Sequence, residues 1–180
     1  MTKDSFEWLL VLVQVPAQPS RHRVAVWREL RRSGAVPVSP GTWVIPALPV
    51  FEPALKRAAE LTARGEGTFT VVEAVPRDDS GAALFRDAFI AARMDEWSEF
   101  TADCGKFEDE IAREIGKEKF TLAELEEEEQ SLERLRRWYR DLKSRDVFHL
   151  PDADTAAGRL ARCTETLNDY ADRVYAAVLP

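Results

Sequence analysis

Residues 19–32 read Pro-Ser-Arg-His-Arg-Val-Ala-Val-Trp-Arg-Glu-Leu-Arg-Arg and hold five arginines against one glutamate. The whole chain carries a formal charge of −7, so this basic segment stands on an acidic background. Guanidinium forks match phosphates and other tetrahedral oxyanions with two parallel hydrogen bonds. The commonest large anion is nucleic acid, and a local basic stripe is its usual electrostatic footprint. A small oxyanion or an acidic protein face would suit the same groups.

The segment has a helical register. Ser20 is placed to N-cap and Gly34 to C-cap it. At about 100° per residue, Arg21, Arg28 and Arg32 share one stripe. Val24, Val26, Trp27 and Leu30 cover a broad opposite arc, expected to face the core, and Arg23 falls inside that arc. Arg21 and Arg23 also sit in the first turn, where the helix dipole disfavours cations. Two local rules broken at one helix end point to a functional site. The plainer alternative is that Arg23 snorkels to water from the edge of the core. Arg21, Arg23, Arg28, Arg31 and Arg32 are the candidate anion contacts, with DNA as one of the anions they would suit.

Other reactive residue types form no comparable pattern. His22 and His149 have no histidine or cysteine at ligand spacing, so no metal is assigned. Cys104 and Cys163 fall on apolar faces of two predicted helices and read as buried thiols. A redox-active pair is the sharper alternative, and Asp103 and Lys106 beside Cys104 do little to activate it. Asp152 and Asp154 read as helix caps, and Glu126–Glu129 as a solvated face. No Ser-His-Asp order, phosphate loop or HExxH motif is present, so no catalytic residue and no cofactor is assigned.

The elements that must position the arginines alternate between strand and helix. Residues 8–15 form an apolar run suited to a central strand buried on both faces, ended by Pro16. The arginine helix covers about 20–33. Short strands at 35–38 and 42–45 flank a Pro40-Gly41 turn and read as a hairpin. Trp43, Trp97, Trp138 and Tyr139 fit core positions; dimer packing is the alternative for Trp43, which stands in a short edge hairpin. A helix over 50–64, with Leu55, Ala58, Ala59 and Leu61 inward, precedes a last strand at 68–75. The order β-α-β-β-α-β is the ferredoxin-like plan.

From about residue 80 the pattern is helical. Ile90, Met94, Trp97, Phe100, Cys104, Phe107, Ile111 and Ile115 recur at three- and four-residue steps. Thr121 and Glu124 form a capping-box signature before a stripe of Leu122, Leu125, Leu132, Leu135, Trp138 or Tyr139, and Leu142. A last helix carries Leu160, Cys163, Leu167, Tyr170 and Val174. The fold class expected is α+β: a ferredoxin-like domain at 1–78, then a three-helix domain at 79–180 packed on it.

Composition fits this reading. A hydrophobic content of 45% with 32% charged residues suits a globular chain, not a disordered one. The apolar run at 8–13 is too short to span a bilayer. Lys3 is offset by Asp4 and Glu7, so no signal peptide is expected. Two cysteines are too few for a disulfide scaffold, and a reducing cytoplasm is the default.

The chain resembles the N-terminal domain of the chromate-resistance regulator family ChrB. The matching residues are Trp8-Leu9-Leu10, Pro16, Ser20-Arg21-His22-Arg23, Trp27-Arg28, Leu30, Gly34-Ala35 and Gly41 to Pro46. Later pieces also fit: Phe120-Thr121, Glu124-Leu125, Leu135 to Trp138, and Arg145 to Phe148 before Pro151. Residues 30–46 also look like the portion of PaaX-type repressors that has a Cas2-like ferredoxin fold. The resemblance implies a transcriptional regulator whose basic N-terminal segment contacts operator DNA, with Arg23, Trp27 and Arg28 best matching the family pattern. It implies chromate as an effector, sensed in full-length members by a second, C-terminal domain. A homodimer would let two arginine helices address adjacent groove segments. The alternative is an enzyme or small-molecule binder acting on an oxyanion or redox substrate in a pocket between the sheet and the helices.

Overall fold

The computed structural model describes residues 7–179. Lys3 and Asp4, used above to argue against a leader, lie outside them. The protein is α+β. Strand β1 spans Trp8–Gln14, helix α1 Ser20–Ser33, β2 Val36–Ser39 and β3 Thr42–Pro46. A 3-10 turn at Pro49–Phe51 leads into α2 (Glu52–Arg64), followed by β4 (Thr68–Ala74). Three helices complete the chain: α3 (Asp79–Gly116), α4 (Leu122–Arg145) and α5 (Asp152–Val178). Among the described residues, no helix is long and apolar enough to cross a membrane. The fold divides into two compact units, one reaching Arg93 and one starting at Met94.

The first unit is built on an antiparallel sheet of order β2-β3-β1-β4, the ferredoxin-like arrangement. Directly paired residues share a face. Leu9 with Ile45 and Val11 with Trp43 mark one face, and Trp8 with Pro46 and Leu10 with Val44 mark the other. On the second face the Trp8 ring meets Phe85 at 5.8 Å and Phe89 at 6.0 Å, both edge-on. Burial on both faces explains why the start of β1 is a continuous apolar run. The run opens further along, where Leu12 is exposed. Pro37 lies on edge strand β2, where its missing N–H breaks no central ladder. Trp43 lies on β3, an inner strand, and is buried. The core position expected for it is met, since the sheet order puts β2 outside it at the edge of the sheet.

Two glycines let the loops close on β1. Gly41 has φ 72° and accepts the Val13 N–H at 2.7 Å; a Cβ there would meet the Val13 oxygen at 2.6 Å. A Cβ on Gly67 would stand 2.3 Å from the Gln14 oxygen and 2.9 Å from Thr62 Cγ2. Gly67→Ala should therefore destabilise the first unit by about 1–3 kcal/mol, since relief requires backbone to move. Urea unfolding would measure it, and an unchanged midpoint would contradict it.

The second unit buries Trp97, Phe100, Cys104, Phe107 and Ile111 of α3 with Leu125, Leu132, Leu135 and Leu142 of α4 and Cys163, Leu167, Tyr170 and Val174 of α5. Met94 and Leu122, expected inward, are exposed because each stands one turn outside this stripe. Thr121 caps α4 by accepting the Glu124 N–H, as the capping signature requires. The Glu124 carboxylate meets Lys119 at 2.7 Å. Asp152 and Asp154 are not caps: Pro151 holds that position without a side-chain bond, and both carboxylates lie in the first turn of α5, where the dipole favours them. Glu128 is buried on the α4 stripe, so the acidic run 126–129 is not wholly a solvated face.

Candidate nucleic-acid interface

Helix α1 starts where Pro16 has ended β1 and two residues of turn have passed. Its N-cap is Pro19, which contributes no side-chain bond, so Ser20 is the first helical residue and not the cap. Gly34 closes it with φ 93°, and its N–H points at the Arg31 and Leu30 carbonyls. No acidic residue occupies the first turn, while Arg31 and Arg32 occupy the last. The C-terminal pair complements the dipole and the N-terminal pair, Arg21 and Arg23, opposes it.

The buried stripe of α1 is Val26, Glu29, Leu30 and Ser33, with His22 half-buried beside them. Val24 and Trp27 are exposed, at 40% and 52%. The core-facing arc is therefore rotated from the one expected, because α2 packs against the side carrying His22 and Glu29. Gly65 at the end of α2 allows that approach: a Cβ there would come within 2.8 Å of His22 Cβ. Turning this side inward leaves Arg21, Val24, Trp27, Arg28, Arg31 and Arg32 on the outer arc.

The five assigned arginines are all exposed, but they are not equivalent. Arg32 meets buried Glu29 at 2.9 Å, and Arg57 of α2 meets the same carboxylate at 2.8 Å. Glu29 is thus neutralised twice, once from outside the arginine segment. The Arg31 guanidinium lies 5.7 Å from the centroid of the Trp27 ring. Arg21, Arg23 and Arg28 make no ion pair among the described residues.

Arg23 also borders a cleft of about 670 Å³ between α1, the end of β1, the β2–β3 turn and the α2–β4 loop. Val13, Val26, Leu30 and Trp43 give it an apolar floor, with Trp27 and Glu66 at its sides. It is a cleft of the first unit, with one arginine in its lining. The sequence reading missed three of these features: the burial of Glu29, the part of Arg57 and the position of Glu66. The hint available for Glu29 was its place three residues before Arg32 and between Val26 and Leu30 turns.

In the second unit, Cys104 and Cys163 are both fully buried, and the Cys163 thiol bonds the Cys104 carbonyl at 3.5 Å. The hydrogen bond with Cys163, and then burial, push the Cys104 thiol far up, away from thiolate chemistry. Among the described residues no group of histidine, cysteine or acidic side chains is placed to hold a metal ion.

A family model described as Protein ChrB, N-terminal, matches residues 23–180. A curated relative, Protein ChrB of Cupriavidus metallidurans, is 28% identical over 96 residues. The match takes in 53% of this chain and 29% of the relative, so the chain spans under a third of that protein's length.

Proposed function

Because the chain belongs to the ChrB N-terminal family, we propose that it is a DNA-binding module of a chromate-resistance regulator, holding duplex phosphates on the exposed arginines of α1. The observation that carries this reading is the set Arg21, Arg23 and Arg28, exposed and without ion pairs among the described residues on a chain of net charge −7. Fixed cations without internal partners on an acidic protein favour a local polyanion contact over general coating of nucleic acid. Phosphate contacts would fix position and orientation without reading sequence.

In this reading the partner is operator DNA and the effector is chromate or a related oxyanion. The protein works in the cytoplasm as a homodimer, and Arg32 contributes less than Arg28 because Glu29 already holds it. The reading as an oxyanion enzyme or binder is less well supported, since the cleft beside α1 offers one guanidinium against a mostly apolar lining.

Fluorescence anisotropy on the chain's own upstream DNA tests the proposal, with scrambled DNA, two salt concentrations, and chromate present or absent. Arg28→Ala should weaken binding about tenfold, the loss of one charge-assisted contact. It should also lower the slope of log K against log salt by about 0.9. Circular dichroism should stay unchanged. Specific binding released by chromate supports the regulator; no DNA binding at low salt overturns it.

A further inference from the structure

The cleft beside α1 has features that phosphate contact along the helix does not use. Trp27 and Trp43 both line it. Trp43 is buried, whereas Trp27 stands on a strongly basic helix. Arg31 lies over the Trp27 ring, and about half of the Trp27 surface is exposed. Aromatic faces beside arginines are the usual stacking platform for unpaired bases.

Glu66 adds a second feature. It stands just past α2 with φ 56°. Its N–H bonds the Ala63 carbonyl and the next N–H, of Gly67, bonds the Thr62 carbonyl, both at 3.0 Å. Such a helix-ending position favours glycine or asparagine. A glutamate holds it here against the backbone preference, and Glu66 lines the cleft. Arg23 lines it too, and no ion pair joins the two among the described residues. The cleft therefore combines a cation, a carboxylate acceptor and an aromatic wall. Its volume of about 670 Å³ falls within the range of about 300–1,000 Å³ typical of small-ligand sites.

We propose that this cleft binds one unpaired nucleotide, its base stacked on Trp27, its donor edge on Glu66 and its phosphate on Arg23. A carboxylate accepts best from an edge with two adjacent donors, so guanine is the preferred base. The nucleotide has two sources of the same chemistry: an unpaired base within bound DNA, which rests on the DNA reading above, or a free nucleoside monophosphate, which does not.

The test compares a duplex of the chain's own upstream DNA with the same duplex carrying one unpaired guanine, and titrates guanosine and adenosine monophosphates against tryptophan fluorescence. The unpaired guanine should tighten binding at least tenfold. Glu66→Gly should remove that gain and leave the fully paired duplex bound as before, while raising the thermal midpoint because glycine suits φ 56°. Trp27→Ala should also remove the gain, with circular dichroism confirming the fold. Arg28→Ala should weaken both duplexes by the same factor. Saturable binding of guanosine over adenosine monophosphate without DNA binding supports the cleft through its free-ligand source and overturns the DNA reading alone. Equal affinity for the two duplexes with no monophosphate binding overturns the cleft proposal. So does a gain that survives both Glu66→Gly and Trp27→Ala.

Discussion

Trp97→Ala is expected to destabilise the helical unit by about 3–5 kcal/mol, the range for deleting a large buried aromatic. Trp97 is 1% exposed. Its ring stands edge-on to Phe100 at 6.2 Å and tilted against Tyr139 at 5.5 Å. Its indole N–H donates to Asp146 Oδ2 at 3.2 Å, and the same carboxylate accepts the Leu150 N–H, tying the α4–α5 connection to α3. Trp97→Phe separates the two contributions. It keeps most of the packing and loses the hydrogen bond, so about 1–2 kcal/mol should go. Urea unfolding of the three proteins is the measurement, and equal loss in both variants would show that the hydrogen bond, not the volume, carries the effect.

Glu128→Leu should act in the other direction and stabilise the same unit at pH 7 by about 1–3 kcal/mol. Glu128 is 6% exposed on a stripe whose neighbours are Leu125, Leu132 and Leu135. Burial first, and then the charges of Glu110, Glu127, Glu114 and Glu124, raise its carboxyl above the usual carboxylate range. The folded protein thus holds this proton more tightly than the unfolded chain does. The stability it contributes is full below the unfolded carboxylate value and is lost as pH rises through the raised value. Wild-type protein should gain stability on going from pH 7 towards pH 5, and Glu128→Gln should flatten that gain. A wild-type profile as flat as that of Glu128→Gln would show the carboxylate to be solvated.

The fold was largely legible in the chain. The apolar run at 8–15, the Pro40-Gly41 turn and the 3.6-residue stripes reflect backbone and burial rules that act locally, and each element lies within two residues of its expected span. The arginine helix was legible in position but not in rotation. Periodicity ranks residues by hydrophobicity, so it put Val24 and Trp27 inward and gave Glu29 no place in the core. The structure exposes the first two and buries Glu29, whose partner Arg57 lies 28 residues away along the chain. Glu128 was hidden by the same cause, since a glutamate within an acidic run carries no local sign of burial. Glu66 left no sequence signal, because its strain exists only once α2 has ended.

The meeting of Cys104 and Cys163 gives the molecule a built-in clock. Both sulfurs are sealed, and both belong to the unit that starts at Met94. A small alkylating reagent reaches them only while that unit is open, so the labelling rate reports its opening equilibrium when closing outruns the reagent. The sheet unit carries no cysteine, and its openings leave this signal untouched. The chain thus contains, without any added probe, a separate readout of one half's breathing.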